Sequence, residues 1–290
     1  MPDGTPARSP AAAVLAAVSR DVRSCAPVGA SHAWTLHQGE LDDGRRFFAK
    51  VAEGHAEALA AEAAGLRWLG EVPGGAAVPD VLAADGGVLV LERVEEHGAG
   101  AAAAADLGRR LAATHRAGAR SFGAPWPGWL ATLPLDNTAG DHWPDWYARH
   151  RLLPYLRDAR DRGHLDSGDV ARLDRVLDGI RELAGPQEPP ARIHGDLWSG
   201  NVLWGRGGAV LIDPAAHGGH RESDLAMLQL FGAPHLERIL AAYDEAFPLA
   251  DRWRDRVPLH QLHPLLAHVC LFGRAFRGQL LDAARRLGAQ

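Results

Sequence analysis

Short apolar segments separated by turn residues occupy the first third of the chain. Their lengths and flanking glycines predict four β-strands, at Trp34–Gln38, Phe47–Val51, Val78–Ala83 and Val88–Glu92. Asp43 and Gly44 predict a hairpin between the first two strands, because an Asp-Gly pair accepts the positive φ of a tight turn. Between the second and third strands, His55–Leu69 has apolar residues at helical spacing. The pattern predicts a small antiparallel sheet with one helix.

A further apolar run, Ala11–Val18, lies near the start of the sequence. It is at the short end for the hydrophobic region of a secretion signal. The apolar positions fit one face of a helix instead: Val14, Leu15, Val18 and Val22. We therefore expect a surface helix here and a cytoplasmic protein.

The pattern changes character after Glu92. Glu95–Gly100 is polar and contains glycine, which predicts a linker. Helices are predicted at Ala101–His115, at Pro144–Arg160, over Leu173–Leu183 and from Asp224 onward. Two short strands are predicted before the last of these helical regions, at Val202–Trp204 and Val210–Ile212. The chain is thus predicted to be an α+β protein of two lobes, with the sheet in residues 1–94 and a mainly helical part in residues 95–290.

Composition narrows the class of protein. The chain has 290 residues, of which 47% are hydrophobic and 23% charged, so a disordered chain is excluded. No apolar run is long enough to span a membrane, and a net charge of −5 disfavours a general nucleic-acid binder. Cys25 and Cys270 are too few for a disulfide framework or a four-cysteine zinc site. Two loose histidine groups, His217 with His220 and His260 with His263 and His268, lack an H-E-x-x-H motif, so we expect no zinc site.

The strongest chemical signal is the segment His194–Asn201, which has the spacing H-x-D-x-x-x-x-N. Twelve residues after Asn201, an apolar strand ends in Asp213. Phosphoryl transfer needs one carboxylate to accept the hydroxyl proton, and a second carboxylate with an amide oxygen to hold Mg²⁺ on the phosphates. We therefore predict Asp196 as the base and Asn201 and Asp213 as metal ligands, because a hard cation prefers oxygen. The alternative is a polar turn followed by an unrelated strand.

A second signal joins a lysine to a carboxylate. Lys50 lies on an apolar strand, where its burial is costly without an anion. The following helix places Glu62 on its apolar stripe, where a lone carboxylate is also costly. Pairing the two side chains satisfies both and places Lys50 against the α- and β-phosphates of a nucleotide. Glu57 is the rival partner, although it lies off the stripe, and two independent surface charges are the remaining alternative.

Two weaker signals concern the nucleotide. The strand that ends at Glu92 runs into the polar linker, so the backbone of Glu92, Arg93 and Val94 is predicted to hold adenine at a hinge between the lobes. An ordinary strand end is the alternative. Gly29 and Ser31 precede the first predicted strand without forming a G-x-G-x-x-G loop. Their small size still lets backbone N–H groups approach phosphate, and a plain loop is the alternative.

The residues of these motifs resemble those of the fructosamine/ketoamine-3-kinases, which are relatives of the aminoglycoside phosphotransferases in the protein-kinase-like superfamily. The resemblance is carried by Ile193–Asn201 (IHGDLWSGN), Ile212–Ala215 (IDPA) and Gly219–Ala226 (GHRESDLA). The segment Trp143–Leu152 (WPDWYARHRL) resembles an aromatic and arginine-bearing helix of the same family. The similarity extends from about residue 10 to residue 285.

The resemblance implies a bilobal protein-kinase-like fold with ATP and Mg²⁺ between the lobes. It implies phosphorylation of the 3-hydroxyl of a ketose that is bound through carbon 1 to an amine, such as a ribulosamine or fructosamine on lysine. The 3-phosphate then decomposes and frees the amine, so the family performs deglycation. Eukaryotic members carry a redox-active cysteine in the phosphate loop, and Cys25 lies near that loop without aligning to it. We expect a monomer that binds neither nucleic acid nor membrane.

The acceptor is predicted to lie against residues that follow the two catalytic carboxylates. Trp198 is two residues from the base and is a candidate stacking surface for a sugar, with core packing as its alternative. The predicted pocket residues after Asp213 are His217, His220, Arg221 and Glu222. Arg221 and Glu222 have a structural ion pair as their alternative. We expect Asp224 to brace the catalytic loop, and we expect core or lid positions for Trp126, Trp129, Trp143 and Trp146.

Two other functions stay open at this point. A small-molecule kinase for an aminoglycoside, choline or another alcohol would use the same catalytic residues, so only its pocket would differ. An acidic pocket would favour a polycationic acceptor. A nucleotide-binding pseudokinase would have lost Lys50, Asp196 or Asp213, and all three are present.

Overall fold

The structure is a computed structural model that describes Val14 and residues 22–31, 33–52 and 54–288. Its main sheet has five antiparallel strands in the order β1-β2-β3-β5-β4. The strands are β1 (Val22–Ser31), β2 (Trp34–Leu41), β3 (Arg46–Ala52), β4 (Val81–Asp85) and β5 (Val88–Glu92). Helix α1 (Ala56–Gly70) follows β3. The predicted antiparallel sheet with one helix is thereby confirmed.

Alternation along β3 explains how a lysine reaches the interior. Phe47, Ala49 and Val51 belong to an apolar cluster on one face of the sheet. Because side chains alternate along a strand, Phe48 and Lys50 point to the opposite face. On that face Leu89, the cross-strand partner of Lys50, packs in the apolar cluster that includes α1. Lys50 is therefore held among apolar neighbours next to the one helix of the sheet.

The first strand was missed by the sequence pattern. The sequence places Gly29 and Ser31 in a loop, whereas both lie in β1, paired with β2. The predicted N-terminal helix lies mostly outside the described residues, although Val14 is helical and buried. Val22, expected on that helix face, begins β1 instead. Most of β1 is exposed at the edge of the sheet, so it lacks the apolar alternation that identifies a strand.

The rest of the described chain is mainly helical. The helices are α2 (Ala101–Arg116), α3 (Trp143–Tyr147), α4 (Leu153–Asp161), α5 (Ser167–Asp178), α6 (Ile180–Leu183), α7 (Glu222–Leu230), α8 (Leu236–Ala246), α9 (Trp253–Phe272) and α10 (Arg277–Arg286). Three two-stranded sheets complete it, β6 (Gly128–Leu130) with β7 (Leu133–Leu135), β8 (Ala191–Ile193) with β11 (His217–Gly219), and β9 (Val202–Gly205) with β10 (Gly208–Leu211). None of the helices within the described residues is long and apolar enough to cross a membrane.

Two predicted helices are interrupted. A π-helical turn, Ala148–Leu152, separates α3 from α4, and Gly179 separates α5 from α6. Helix α9 continues through Pro264, which has no N–H to donate to the carbonyl of His260. The Tyr147 hydroxyl lies 3.3 Å from that carbonyl oxygen and 3.0 Å from that of Leu259. A buried side chain thus compensates for the helix bond that the proline removes.

Candidate active site

Lys50 bridges the sheet, α1 and the segment after β10. Its Nζ donates to both carboxylate oxygens of Glu62 at 2.8 Å and to Oδ1 of Asp213 at 2.9 Å. Burial alone would lower the pKa of Lys50, but the carboxylates of Glu62 and Asp213 outweigh it and raise the pKa above its ordinary value. The lysine therefore stays charged, and the partner is Glu62, while the rival Glu57 lies in the first turn of α1 and is exposed.

Asp213 has an unusual backbone conformation. Its φ is +56°, in the left-handed region that a non-glycine residue rarely adopts. The His194 side chain donates from Nε2 to the carbonyl of Ile212 at 2.9 Å, which fixes the chain just before this residue. Such strain persists only where the surroundings hold it. The turn aims the Asp213 carboxylate back at Lys50.

The loop between β8 and β9 carries Asp196. Asn201 donates from Nδ2 to the Asp196 backbone carbonyl at 2.8 Å and to its Oδ2 at 3.1 Å. Asp224, buried at the start of α7, accepts the backbone N–H groups of His194 at 2.7 Å and Gly195 at 2.9 Å. Position 195 requires glycine because its φ is +82°, in the left-handed region that other residues rarely adopt. The loop conformation is thus fixed from both sides of Asp196, and Asp224 contacts it as expected.

The Asp224 carboxylate has a third partner. His115 Nε2 donates to its Oδ2 at 3.0 Å, and the Tyr243 hydroxyl lies 2.8 Å from His115 Nδ1. Burial opposes ionisation, but these hydrogen bonds outweigh it and lower the pKa of Asp224. A fully satisfied buried carboxylate of this kind is suited to holding a backbone in place.

Asp196 is electrostatically different from Asp224. Desolvation raises the pKa of Asp196 to about 7, and the carboxylates of Asp213 and Asp224 add to this against the hydrogen bond from Asn201. A carboxylate with a pKa near neutrality is suited to accept a proton from a hydroxyl.

Trp198 remains partly in solvent. Its side chain is 39% exposed and belongs to the wall of the cleft that contains Asp196. A Cβ added at Gly200 would lie 2.2 Å from the indole ring, so the glycine makes room for it. Trp198 is therefore not packed in the core, which was the alternative prediction for this residue.

A cavity of about 660 Å³ lies at the end of β5. Glu92, Arg93 and Val94 line it, as does Phe48 from β3. Asp213 lines the same cavity. The predicted hinge segment therefore borders a space open to a nucleotide base.

A second cavity, the cleft, has a volume of about 190 Å³ and shares Asp213 with the first. Its polar lining consists of Ser31, Lys50, Glu62, Asp196, Asn201 and Asp213. Trp34, Trp129 and Trp198 contribute aromatic walls. Gly29 is not among the lining residues, so of the two predicted phosphate-loop residues only Ser31 reaches the cleft.

A third space, the recess, lies behind Asp196 and has a volume of about 30 Å³. Asp196 lines both the recess and the cleft. His217 and His220, which the sequence predicts to contact the acceptor, line the recess. Burial lowers the pKa of His217 to about 3 and that of His220 far below its ordinary value, so both rings are neutral.

The recess also contains residues that the sequence did not assign to the acceptor pocket, among them Trp143 and Trp146, which were expected in the core or a lid and are buried. The additional polar and aromatic lining residues include Trp143, Trp146, Arg151, Ser223, His260 and His263. Arg151 Nε and His263 Nε2 are buried and have no hydrogen-bond partner among the residues that the structure describes. Arg151 bonds the carbonyl of Asp136 and the amide oxygen of Asn137, both at 2.7 Å. The sequence offers one clue to the position of Arg151, because the Trp143–Leu152 segment resembles an aromatic and arginine-bearing helix of the family.

Arg221 and Glu222 do not line the recess, and they do not pair with each other. Arg221 forms two hydrogen bonds with Glu188, at 2.6 and 2.8 Å. Glu222 accepts two from Arg256, at 2.9 and 2.5 Å. The expectation of pocket residues here is therefore corrected to two buried ion pairs with partners far along the chain.

One group of described side chains could hold a metal by geometry. Candidate ligand atoms of His220, Glu222 and His260 lie within 4.8 Å of one another. Both oxygens of Glu222 are already bonded by the Arg256 guanidinium, which supplies the positive charge that a cation would supply. We therefore interpret the group as an ion-pair network. It is not one of the two histidine groups weighed from the sequence.

The chain matches known proteins along most of its length. The family model described as fructosamine kinase matches residues 16–287. A "Probable ketoamine kinase" of Klebsiella aerogenes is 33% identical over 277 residues, covering 92% of this chain and 91% of that protein. A "Probable ketoamine kinase" of Thermus thermophilus is 37% identical over 177 residues, and this match covers 61% of this chain and 64% of that protein.

Solved structures agree with the sequence matches. A Thermobifida fusca protein with the provisional name fructosamine-3-kinase is 53% identical, with a TM-score of 0.93 over 97% of this chain and 99% of that one. An aminoglycoside phosphotransferase in complex with ADP and hygromycin B shares the fold, with 16% identity and a TM-score of 0.62 over 91% of this chain and 94% of that one. These neighbours confirm the protein-kinase-like fold. The chain therefore belongs to the fructosamine kinase family, and membership of this family identifies it as an ATP-dependent phosphotransferase.

Proposed function

We propose that this protein is a ketoamine 3-kinase, which transfers the γ-phosphate of ATP to the 3-hydroxyl of a ketose attached through carbon 1 to an amine. Its substrates are Amadori adducts such as ribulosamines and fructosamines, and decomposition of the 3-phosphate frees the amine. The observation that carries the proposal is the position of Asp196. It lies where the cleft that contains Lys50, Asn201 and Asp213 meets a recess with unpaired nitrogen atoms.

The nucleotide is proposed to enter from the hinge cavity. The backbone N–H groups of Glu92 and Arg93 already donate to the carbonyls of Asp80 and Arg46, so adenine is proposed to bond the N–H of Val94 and the carbonyl oxygens of this segment. Phe48 offers an aromatic contact in the same cavity. Lys50, held charged by Glu62, is then in reach of the α- and β-phosphates in the adjoining cleft. Ser31 at the end of β1 lies in the same cleft and offers a hydroxyl to the phosphates.

The donors in the cleft fit magnesium. The Nδ2 atom of Asn201 is turned toward Asp196, so its amide oxygen is the atom left for a cation. Asp213 contributes a carboxylate of which one oxygen is bonded by Lys50. Oxygen donors of these two types are those that Mg²⁺ prefers. A magnesium ion bound there would offset the negative charge of the transferring phosphate.

Asp196 is proposed to act on the acceptor. Its carboxylate orients the sugar hydroxyl toward the phosphorus and accepts its proton as transfer proceeds. The pKa of Asp196 near 7 suits this role. Asn201 keeps the carboxylate oriented through its bond to Oδ2, and Asp224 holds the backbone on the other side. The in-line geometry therefore depends on the loop rather than on Asp196 alone.

The recess favours a sugar over a polycation. Its carboxylates are Asp196 and Asp224, and Asp224 already accepts three hydrogen bonds. Arg151 and the neutral histidines instead present nitrogen atoms to oxygen-rich ligands, beside the indoles of Trp143 and Trp146. An aminoglycoside would bring several ammonium groups against a buried guanidinium. We therefore place the hydroxyl-bearing edge of a ketose at the mouth of the recess.

The test is ADP release by the purified protein with Mg²⁺-ATP. The acceptors are ribuloselysine, fructoselysine, an aminoglycoside and a blank. Strong stimulation by a ketoamine, with a phosphosugar that decays to free lysine, would support the proposal and rank the sugars. Stimulation by the aminoglycoside alone would favour the alternative acceptor, and no stimulation by any acceptor would favour a pseudokinase. The cytoplasmic location, the monomeric state and the division at residues 94 and 95 stay predictions.

A further inference from the structure

Exposed aromatic side chains are concentrated in one place on the described surface. Of the four large hydrophobic side chains exposed there, three are Trp198 at 39%, Phe231 at 39% and Phe272 at 54%. With two more aromatic rings they form a continuous row, here called the aromatic ridge: Trp198, Phe231, His268, Phe272 and Phe276. Single exposed apolar residues are ordinary, but a contiguous group marks an interaction surface.

The rings of the ridge contact one another in sequence. Trp198 and Phe231 meet edge to face with centroids 6.2 Å apart, and Phe231 lies 5.3 Å from His268. His268 then lies 5.5 Å from Phe272 and 4.7 Å from Phe276. These separations are typical of packed aromatic pairs. The ridge therefore starts at the catalytic loop and runs outward without a gap.

The ridge continues the wall of the recess. On α9, His260 and Pro264 line the recess, and His268 and Phe272 follow at intervals of four residues. Residues four apart share a helix face, so one face of α9 borders the recess at one end and carries the ridge at the other.

The same arrangement recurs on α7. Ser223 and Met227 line the recess, and Phe231 follows four residues later, directly after the last residue of the helix. Two helices thus lead from the recess to the same group of exposed rings.

We infer that the aromatic ridge binds the carrier of the ketoamine, namely an apolar side chain of a peptide whose lysine bears the sugar. This inference rests on the proposed function. The amine of the proposed ketoamine is attached at carbon 1 rather than at the reacting 3-hydroxyl, and Trp198 belongs both to the wall of the cleft and to the ridge. The ridge is thus continuous with the acceptor site.

The distance from the recess wall to Phe272 favours a peptide over a free amino acid. Pro264 in the recess wall and Phe272 in the ridge are eight residues apart on α9, which is about 12 Å along a helix. That distance equals about three to four residues of extended peptide. A free lysine adduct would end near Trp198 and Phe231 and would leave the outer rings uncovered.

The charge of the ridge favours an apolar contact. None of its five side chains is acidic, and burial lowers the pKa of His268, which keeps its ring neutral. The nearby Arg277 is held by Asp166 and Asp169. A cationic side chain would find ring faces but no carboxylate to pair with among the ridge residues, whereas an aromatic or long aliphatic one would cover the exposed rings and remove their apolar surface from water.

The experiment compares carriers that bear the same sugar. One substrate is the ketoamine of a small amine, and the others are peptides with a single ketoamine-bearing lysine. Phenylalanine is placed one to four residues from that lysine on either side, with serine at the same position as the matched control. For the wild-type protein we expect kcat/KM to be about tenfold higher for the best phenylalanine peptide than for its serine control.

Substitutions on the ridge should change this preference. Phe272→Ser should reduce the ratio to about twofold, and Phe272→Leu should retain most of it, because leucine keeps apolar area at that position. Arg274→Ser changes a neighbouring exposed residue outside the ridge and should leave the ratio unchanged. The preference is a ratio within each variant, so a general loss of activity cancels.

Two outcomes would overturn the inference. Equal kcat/KM for phenylalanine and serine peptides at every position would show that the ridge binds no carrier side chain, as would a full preference retained in Phe272→Ser. Turnover of the small-amine ketoamine in the same assay would show that the proposed function itself stands. Absence of turnover on every ketoamine would instead refute the proposed function and the ridge assignment with it.

Discussion

The buried pair of Glu222 and Arg256 gives a quantitative test of the structure. The Glu222 side chain is 1% exposed and the Arg256 side chain 8%, and two hydrogen bonds join them. Burial opposes ionisation of Glu222, but the neighbouring His260 and Arg256 side chains outweigh it and lower its pKa to about 2. Arg256→Met leaves that carboxylate buried without its guanidinium partner, beside the imidazoles of His260, at 3.3 Å, and His220. Loss of one partner of a buried pair costs about 3–5 kcal/mol.

The double variant separates the pair from its surroundings. Arg256→Met with Glu222→Gln removes both charges, so it should cost less than the sum of the single changes by at least about 2 kcal/mol. Part of the remaining cost is the lost bond from Arg256 to the carbonyl of Asp251, worth about 1 kcal/mol. The assay is urea unfolding of the two single variants and the double variant beside the wild type.

Two results would refute this reasoning. Additive single and double changes would show that the pair does not act as a unit, and so would a cost below about 1 kcal/mol for Arg256→Met. A rise in the wild-type melting temperature with Zn²⁺ would show that a metal displaces the guanidinium from Glu222. A ketoamine KM that stays at the wild-type value in the folded variants is expected, because neither residue lines the recess.

Three further predictions concern the catalytic loop and its surroundings. Asp196→Asn should lower kcat about 10²–10⁴-fold with nucleotide affinity nearly unchanged, whereas Lys50→Ala should lower both kcat and nucleotide affinity. Steady-state kinetics measures kcat, calorimetry with ADP measures nucleotide affinity, and unchanged turnover in Asp196→Asn would remove Asp196 as the base. Asp224→Asn replaces one of the two accepting oxygens by an amide donor, which then faces the N–H group of either His194 or Gly195. It should destabilise the fold by about 1–3 kcal/mol and lower kcat more than it raises the KM for ATP; an equal kcat would refute its positioning role. His217 has a pKa of about 3 in the folded state and about 6.5 in the unfolded state, so between these values only the unfolded state binds the proton. The stability that the neutral His217 contributes is complete above pH 6.5 and is lost as pH falls toward 3. Between pH 7.5 and 5 the loss of stability from this group is about 2 kcal/mol. Over that range the free energy of unfolding should fall by about 2 kcal/mol less in His217→Gln than in the wild type; an equal fall in both proteins would contradict a neutral buried His217.

Local spacing predicted the parts of the site that local bonds hold together. Asn201 reaches back five residues to Asp196, so the sequence interval alone specifies the geometry of the loop. The pairing of Lys50 with Glu62 is less local, but each side chain is costly to bury alone and the strand and helix that carry them adjoin in the chain. Placement on an apolar stripe was therefore enough to choose Glu62 over Glu57.

The residues that were missed or misplaced depend on contacts far along the chain. Glu188 pairs with Arg221 across 33 positions, and Arg256 pairs with Glu222 across 34, so neither partner could be read from spacing. Arg151 reaches the recess from the π-helical turn between α3 and α4, which a regular helical period does not predict. The roles assigned to these residues follow from tertiary packing rather than from pattern.

The order of the three cavities gives Asp213 and Asp196, the two proposed catalytic carboxylates, separate duties. Asp213 borders the hinge cavity and the cleft, while Asp196 borders the cleft and the recess. A nucleotide entering at the hinge meets Asp213 and Lys50 before it meets Asp196, and an acceptor entering along Trp198 meets Asp196 first. A substitution at Asp213 should therefore act mainly on nucleotide and metal binding, and one at Asp196 mainly on the acceptor. The aromatic ridge lies on the acceptor side of this division, so its variants should alter carrier preference while the KM for ATP keeps its wild-type value.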